Sequence, residues 1–175
     1  MSRDTEAESA IALLRDHFER IRELMVAVTD GLTPEVSDHR PGPRANSIAW
    51  LLWHLTRVQD DHISDAAGVE QAWTSRGWRE RFDLPFPAAD TGYGHGSAEV
   101  AAVHADAGLL AGYHADVHRA TIGYVDELTR AELDRIVDRR WDPPVTVAVR
   151  LVSVVGDCLQ HLGQAAYVRG LLAEP

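Results

Sequence analysis

The chain contains no lysine, because all 17 of its basic residues are arginine. That excludes Schiff-base chemistry and a phosphate-loop lysine. A single cysteine among 175 residues excludes an intrachain disulfide framework and any Cys-rich zinc module. Basic residues are outnumbered by acidic ones, 17 against 27, which leaves a net charge of -10. Such a surface repels phosphate backbones and anionic lipid, so no nucleic acid and no membrane is expected as a partner. No run of about 18 uncharged apolar residues occurs, and no basic-then-apolar segment opens the sequence, so the expected location is cytoplasmic. Strand-like alternation is nearly absent. So are a GxSxG nucleophile turn, a glycine-rich phosphate loop after a strand, and a CxxC pair.

What is present is helical periodicity in a length suited to one domain, 1–175. The first helical stretch runs from about Glu6 to Asp30, with Ile11, Leu14, Phe18, Ile21, Met25 and Val28 at helical spacing, and Gly31 and Pro34 stop it. A Pro-rich link leads to Asn46 or Ser47, either of which caps a second helix that reaches Ala67 with Gly68 at its end. The segment Val69 to Gly96 is long, aromatic and glycine-rich, and its Gly92-Tyr93-Gly94-His95-Gly96 stretch reads as a flexible turn or lid. Ser97 is expected to cap a third helix running to Leu128. After a link containing Trp141-Asp142-Pro143-Pro144, a fourth spans Thr146 to Leu172. The expected fold is all-α, an up-down four-helix bundle with a long loop between helices two and three.

Nine histidines are the surplus in this composition. On the fourth helix His161 falls about 40° from Asp157 and Gln164 about 20° to its other side, on the stripe shared by Val154, Ala165 and Val168. A carboxylate and an imidazole on a buried stripe form either a core hydrogen bond or half of a cation site. On the second helix His54 sits at the margin of the apolar face, with Asp61 and Asp65 on its stripe and Arg57 and Asp60 opposite the leucines. His54, Asp157 and His161 together supply two imidazoles and a carboxylate and leave coordination positions open. That grouping requires the second and fourth helices to be neighbours. His114 and His118, four residues apart on the apolar stripe of the third helix, are the rival pair. His17, His39, His62 and His104 read as peripheral. Cys158 reads as a small buried hydrophobe, since nothing near it in sequence would lower its pKa.

Several of these segments resemble one family. Ser47-Ile48-Ala49-Trp50-Leu51-Leu52-Trp53-His54-Leu55 resembles the second-helix histidine motif of the DinB/YfiT-like metal-binding four-helix bundles. Asp157-Cys158-Leu159-Gln160-His161-Leu162-Gly163-Gln164 resembles their fourth-helix motif, usually HxxxHxGQ, with Asp157 where many members have His. The pieces around Gly77-Trp78, Thr91-Gly92-Tyr93 and Trp141-Asp142-Pro143-Pro144 are similar to the actinobacterial branch, which resembles mycothiol-dependent S-transferases. The resemblance implies a divalent ion, zinc or else nickel, held by His54, Asp157 and His161, with mycothiol as thiol co-substrate and a small electrophile as its partner. A carboxylate at position 157 agrees with the glutamate that the maleylpyruvate isomerase branch carries there. Asp61 and Gln164 are expected to orient ligands or substrate, and Tyr93, His95, Trp73 and Trp78 to cover the mouth of the site. His114 and His118 are expected to line a pocket if they are not ligands. A non-catalytic metal- or small-molecule-binding stress protein and a metal-dependent hydrolase remain as alternatives. A homodimer through a helix face is compatible with the sequence, although no long heptad run demonstrates one.

Overall fold

The computed structural model describes residues 3–172 of the chain; the ends of the expected 1–175 domain lie outside the described residues. The protein is mostly helical. In chain order its elements are α1 (Arg3–Thr29), α2 (Pro34–Asp38), α3 (Ile48–Ala67), α4 (Ala72–Ser75), α5 (Trp78–Phe82), α6 (Ser97–Ala101), α7 (Ala107–Asp126), α8 (Arg130–Leu133), β1 (Ile136–Asp138), β2 (Val145–Thr146) and α9 (Val147–Leu172). The long helices pack in pairs: α3 lies against both α9 and α7, and α1 against both α7 and α9. The apolar stripes of Phe18, Ile21, Leu51, Leu55, Tyr113, Val117, Leu151 and Val154 meet between them, each at most 1% exposed.

Local signals explain most boundaries. Ser47 accepts a hydrogen bond from the Trp50 amide at 3.2 Å and starts α3, and Gly68 ends it in the left-handed region at φ 69°. The third expected helix is broken in two. Residues 102–106 leave the helix between α6 and α7, and Gly96, not Ser97, occupies the cap position of α6. The break follows from competition. Asp106 takes the Leu109 amide at 2.7 Å and begins a new helix, while Ser37 Oγ donates to the Ala105 carbonyl at 2.9 Å and anchors the break against α2. The link before α9 holds a two-stranded antiparallel clip, with Ile136 opposite Thr146 and Asp138 opposite Val145, which the periodicity did not announce.

Helix α3 departs most from its expected setting. Arg57 and Asp60, placed opposite the apolar face by phase, are 0% and 2% exposed, and Asp65 is the sole exposed residue of this helix. The segment from 69 to 96 covers that side. Arg57 Nε donates to the Asp90 carbonyl at 3.1 Å, and its terminal nitrogens donate to Gln71 Oε1 at 2.9 Å, Tyr113 Oη at 3.2 Å and the Ala88 carbonyl at 3.3 Å. Asp60 accepts from the amides of Ala72 at 2.9 Å and Trp73 at 2.8 Å, and from Tyr113 Oη at 2.8 Å. Two opposite charges are therefore buried 3.7 Å apart, with their remaining donors and acceptors supplied largely by the covering segment. Trp73 and Trp78 belong to this cover and not to a lid. Both are buried, Trp73 against Trp53, Phe82 and Tyr113, and Trp78 with its indole N–H on Asp116 at 3.0 Å.

Asp60→Ala would leave the Arg57 guanidinium buried without its carboxylate. The expected loss is about 3–5 kcal/mol of unfolding free energy, read from urea denaturation. A loss under about 1 kcal/mol would mean that the pair does not hold the covering segment.

Candidate functional site

His54, Asp157 and His161 come together where α3 packs on α9. Their donor atoms lie within 4.8 Å of one another, the one group of three or more metal-ligating side chains this close among the described residues. His54 is 3% exposed, while the side chains of Asp157 and His161 are 21% and 19% exposed. The two imidazole rings meet edge to face, with centroids 4.8 Å apart.

Each histidine has its far nitrogen tied. A carbonyl can only accept, so His54 Nδ1 carries the proton that bridges 2.5 Å to the Thr91 carbonyl. His161 Nδ1 donates to Gln164 Oε1 at 3.0 Å. With Nδ1 so engaged, Nε2 is the ring nitrogen each histidine has left for the triad, and Asp157 Oδ1 stands 3.5 Å from His161 Nε2. The other Asp157 oxygen, Oδ2, is buried and has no hydrogen-bond partner. A buried carboxylate oxygen left unpaired costs free energy unless a cation or proton takes it. Burial lowers the pKa of His54 and favours its neutral form, whereas the adjacent Asp157 carboxylate raises that of His161.

The glycine-rich stretch is clamped, in contrast to the flexible turn expected of it. Asp90 accepts from the Gly92 amide at 2.8 Å and from His95 Nε2 at 3.0 Å, and His95 Nδ1 accepts the Trp50 indole N–H at 3.1 Å. Trp50 stacks on His54, with ring centroids 4.6 Å apart and planes 13° from parallel. His95 therefore keeps neither ring nitrogen free for a substrate, and it is wired into the support of His54. Gly92 has φ 94°, and a Cβ there would stand 2.7 Å from His54 Nδ1. Only glycine lets the backbone come this close.

The other expected residues divide. Tyr93 is 63% exposed and sets its ring edge-on to His54 at 5.3 Å. Asp61 lies on the wall of the neighbouring cleft and accepts from Gln71 Nε2 at 2.7 Å. His114 and His118 are buried on α7, which packs against α1, and Glu19 on α1 brings a carboxylate 3.5 Å from His118 Nε2. Among the described residues they form no three-ligand group. His62, read as peripheral, forms part of the cleft wall, where its Nδ1 accepts from Arg150 at 3.0 Å. Cys158 is fully buried, and burial pushes its thiol far above the ordinary range, so it is no nucleophile. Trp50, Thr91 and Gly92 are the site residues that helical phasing missed. Their traces in the sequence were the family-like motifs that contain Trp50 and Thr91-Gly92, which gave them no role.

The sequence from residue 13 to 174 matches the family described as Mycothiol-S-transferase. Among solved structures, the crystal structure of a conserved protein from Enterococcus faecalis is similar, with a TM-score of 0.85 and 33% identity over 92% of this chain and 95% of that one. Comparison with curated proteins gives no match.

Gly92→Ala should push the Thr91 carbonyl off His54. It is expected to cost about 1–3 kcal/mol of stability and to abolish the protected His54 Nδ1–H proton resonance. Wild-type stability with that resonance retained would contradict the clamp. A second expectation concerns pH. Burial pushes the pKa of His114 down from 6.5 to about 3. Between those values the unfolded chain binds a proton that the folded chain refuses, so stability falls as pH falls through that window, by up to about 1.4 kcal/mol per unit. His114→Gln should flatten the decline in denaturation midpoint measured from pH 7 to 4. An unchanged slope would show that His114 is protonated in the fold.

Proposed function

The chain belongs to the mycothiol-S-transferase family, and from that membership and the geometry of the triad we propose a divalent-metal-dependent transferase that joins the sulfur of mycothiol to a small electrophile. The reading includes a single DinB-like four-helix bundle and a cytoplasmic protein. Among the described residues no helix is long and apolar enough to cross a membrane. One observation carries the proposal: two imidazoles with their Nδ1 protons tied to carbonyl oxygens converge on a buried carboxylate oxygen that has no partner.

This donor set fits a divalent cation. His54 and His161 offer Nε2, and Asp157 offers an oxygen together with the negative charge that offsets part of the ion's own. Zinc suits two nitrogens and one oxygen with positions left open, and nickel is the second choice. A bound dication supplies Lewis acidity, which lowers the pKa of a ligated thiol so that the reactive thiolate is present at neutral pH.

The chain's own residues do the rest. Thr91 and Gln164 fix the tautomer and the ring plane of the two histidines. Trp50 covers the site from inside, stacked on His54 and edge-on to His161 at 6.3 Å, and closes that side to water. Tyr93 stands on the open side, partly exposed, beside the cleft through which substrates arrive. No protein thiol competes, because Cys158 faces the Leu55 carbonyl and Gln59 inside the core. The attacking sulfur therefore comes with the co-substrate.

His54→Ala should lose stoichiometric metal by elemental analysis while its helical circular dichroism stays near wild type. Conjugation of a chromogenic electrophile should need both added thiol and metal, and should fall at least about 100-fold in that variant. Metal retained by His54→Ala would show that the triad is wrongly assigned. Turnover independent of added thiol would overturn the transferase reading and favour hydrolysis.

A further inference from the structure

An apolar surface lies on the outward side of α9. Val149, Val152, Tyr167 and Leu171 are each at least 51% exposed. Helical phase, about 100° per residue, puts all four within one arc of about 140°. A quarter of the chain is charged, yet this arc holds no charged residue along the described length of α9. The charged residues of the helix, Arg150, Asp157 and Arg169, all lie outside it. Toward α1 the surface continues into an apolar groove of about 310 Å3, lined by Leu13, Leu14 and His17 of α1 and by Val152 and Val155 of α9. Leu13 and Leu24, on one face of α1, are themselves 62% and 43% exposed.

The same arc contains Gly156, Gly163 and Gly170. A glycine inside a helix costs about 1 kcal/mol relative to alanine. At Gly112 the reason lies within the fold, since a Cβ there would strike the Trp78 ring at 2.8 Å. The three glycines of α9 differ. None has the positive φ that favours glycine, and a Cβ at any of them would meet nothing within 4 Å. A missing side chain on an outward helix face lets the backbone of a second helix come close.

Charge and shape identify what fits. An apolar helix face that lies on lipid is flanked by free basic residues. Here Arg169 donates to the carbonyls of Ala27, Val28 and Asp30, and the whole chain carries a charge of -10. Two copies of so acidic a chain repel each other except where the meeting surfaces are uncharged. The stripe is also complementary to itself. An antiparallel two-fold axis between Leu159 and Gln160 sets Gly156 level with Gly163, Val149 with Gly170, and Val152 with Tyr167. Backbone meets backbone at the crossing, and farther out Val149 occupies the space that Gly170 leaves open. The area suffices as well. The 26 residues of α9 make a face about 39 Å long. With α1 alongside, it covers on the order of 700 Å2 per copy, close to the roughly 800 Å2 per partner of a stable interface.

We propose that this face is the interface of a homodimer, in which the α9 helices of two copies cross antiparallel about Leu159 and Gln160 and α1 flanks the contact. Asp157 and His161 lie about 110° and 150° round the helix from the middle of the arc, so pairing leaves the candidate metal site open. The dimer stands or falls independently of the transferase reading. Sedimentation equilibrium of the full chain tests it. The wild type is expected at twice the monomer mass at micromolar concentration. Tyr167→Glu should weaken the association at least about tenfold and keep the wild-type circular dichroism, because Tyr167 is 68% exposed. Mixing Tyr167→Glu with Val152→Arg should restore a dimer, since the pairing sets those two positions level. Gln160→Cys, beside the axis, should give a disulfide-linked dimer on mild oxidation, while the wild type, its Cys158 fully buried, stays unlinked. A wild type that stays monomeric up to about 100 μM overturns the proposal. So does a dimer that Tyr167→Glu leaves intact, a mixture that stays monomeric, or a wild type that binds anionic vesicles as a monomer.

Discussion

A buried ion pair holds this structure in the form its site needs. Arg57 and Asp60 lie inside the protein, and neither charge could stay there with its donors and acceptors unmet. Most of their partners come from one stretch of chain: Gln71, the amides of Ala72 and Trp73, and the carbonyls of Ala88 and Asp90. Tyr113 on α7 donates to Asp60 and accepts from Arg57, and Ser64 on α3 itself donates to Asp60 at 3.3 Å. The long segment between α3 and α6 is thereby drawn over α3. A helix that would otherwise show a polar face to water becomes buried nearly all round.

The consequence reaches the candidate metal ligands within two positions of chain. Arg57 grips the Asp90 carbonyl, the Asp90 side chain turns the backbone at Gly92, and the Thr91 carbonyl between them closes on His54. The same turn seats His95 between Asp90 and the Trp50 indole, and Trp50 in turn stacks on His54. Fold stability and imidazole orientation are thus set by one connected set of hydrogen bonds. Such support is what keeps a ligand in a single tautomer and a single ring plane. On α9 the arrangement is local: Gln164, three residues after His161, holds the second imidazole from within the same helix.

What was legible in the sequence followed from periodicity. Periodicity singled out His54, Asp157, His161 and Gln164 as polar residues on apolar stripes, and the structure brings the first three together. The ends of α3 were legible through the side chain of Ser47 and the left-handed Gly68. Arg57 and Asp60 were misplaced for the same reason that His54 was found. Phase describes one helix against its main partners and is blind to a loop that later covers its other side. The break before α7 was carried by Asp106, a capping residue inside an apparently continuous pattern, and the contact from Ser37 that favours the break lies far away in sequence. Cleft residues Asp138, Trp141 and Arg150 were invisible as a group. Asp138 sits in the short strand β1 and Trp141 in the link after it, neither with a readable period, and Arg150 looks like any arginine on a helix.

The central claim is that His54, Asp157 and His161 together hold a dication that receives the co-substrate's sulfur. X-ray absorption at the metal edge, recorded on the protein before and after addition of mycothiol, tests it most directly. The account predicts a shell of nitrogen and oxygen scatterers with two imidazoles before addition, and a new sulfur scatterer at about 2.3 Å afterwards. A spectrum that stays nitrogen and oxygen only, at saturating thiol, would contradict it.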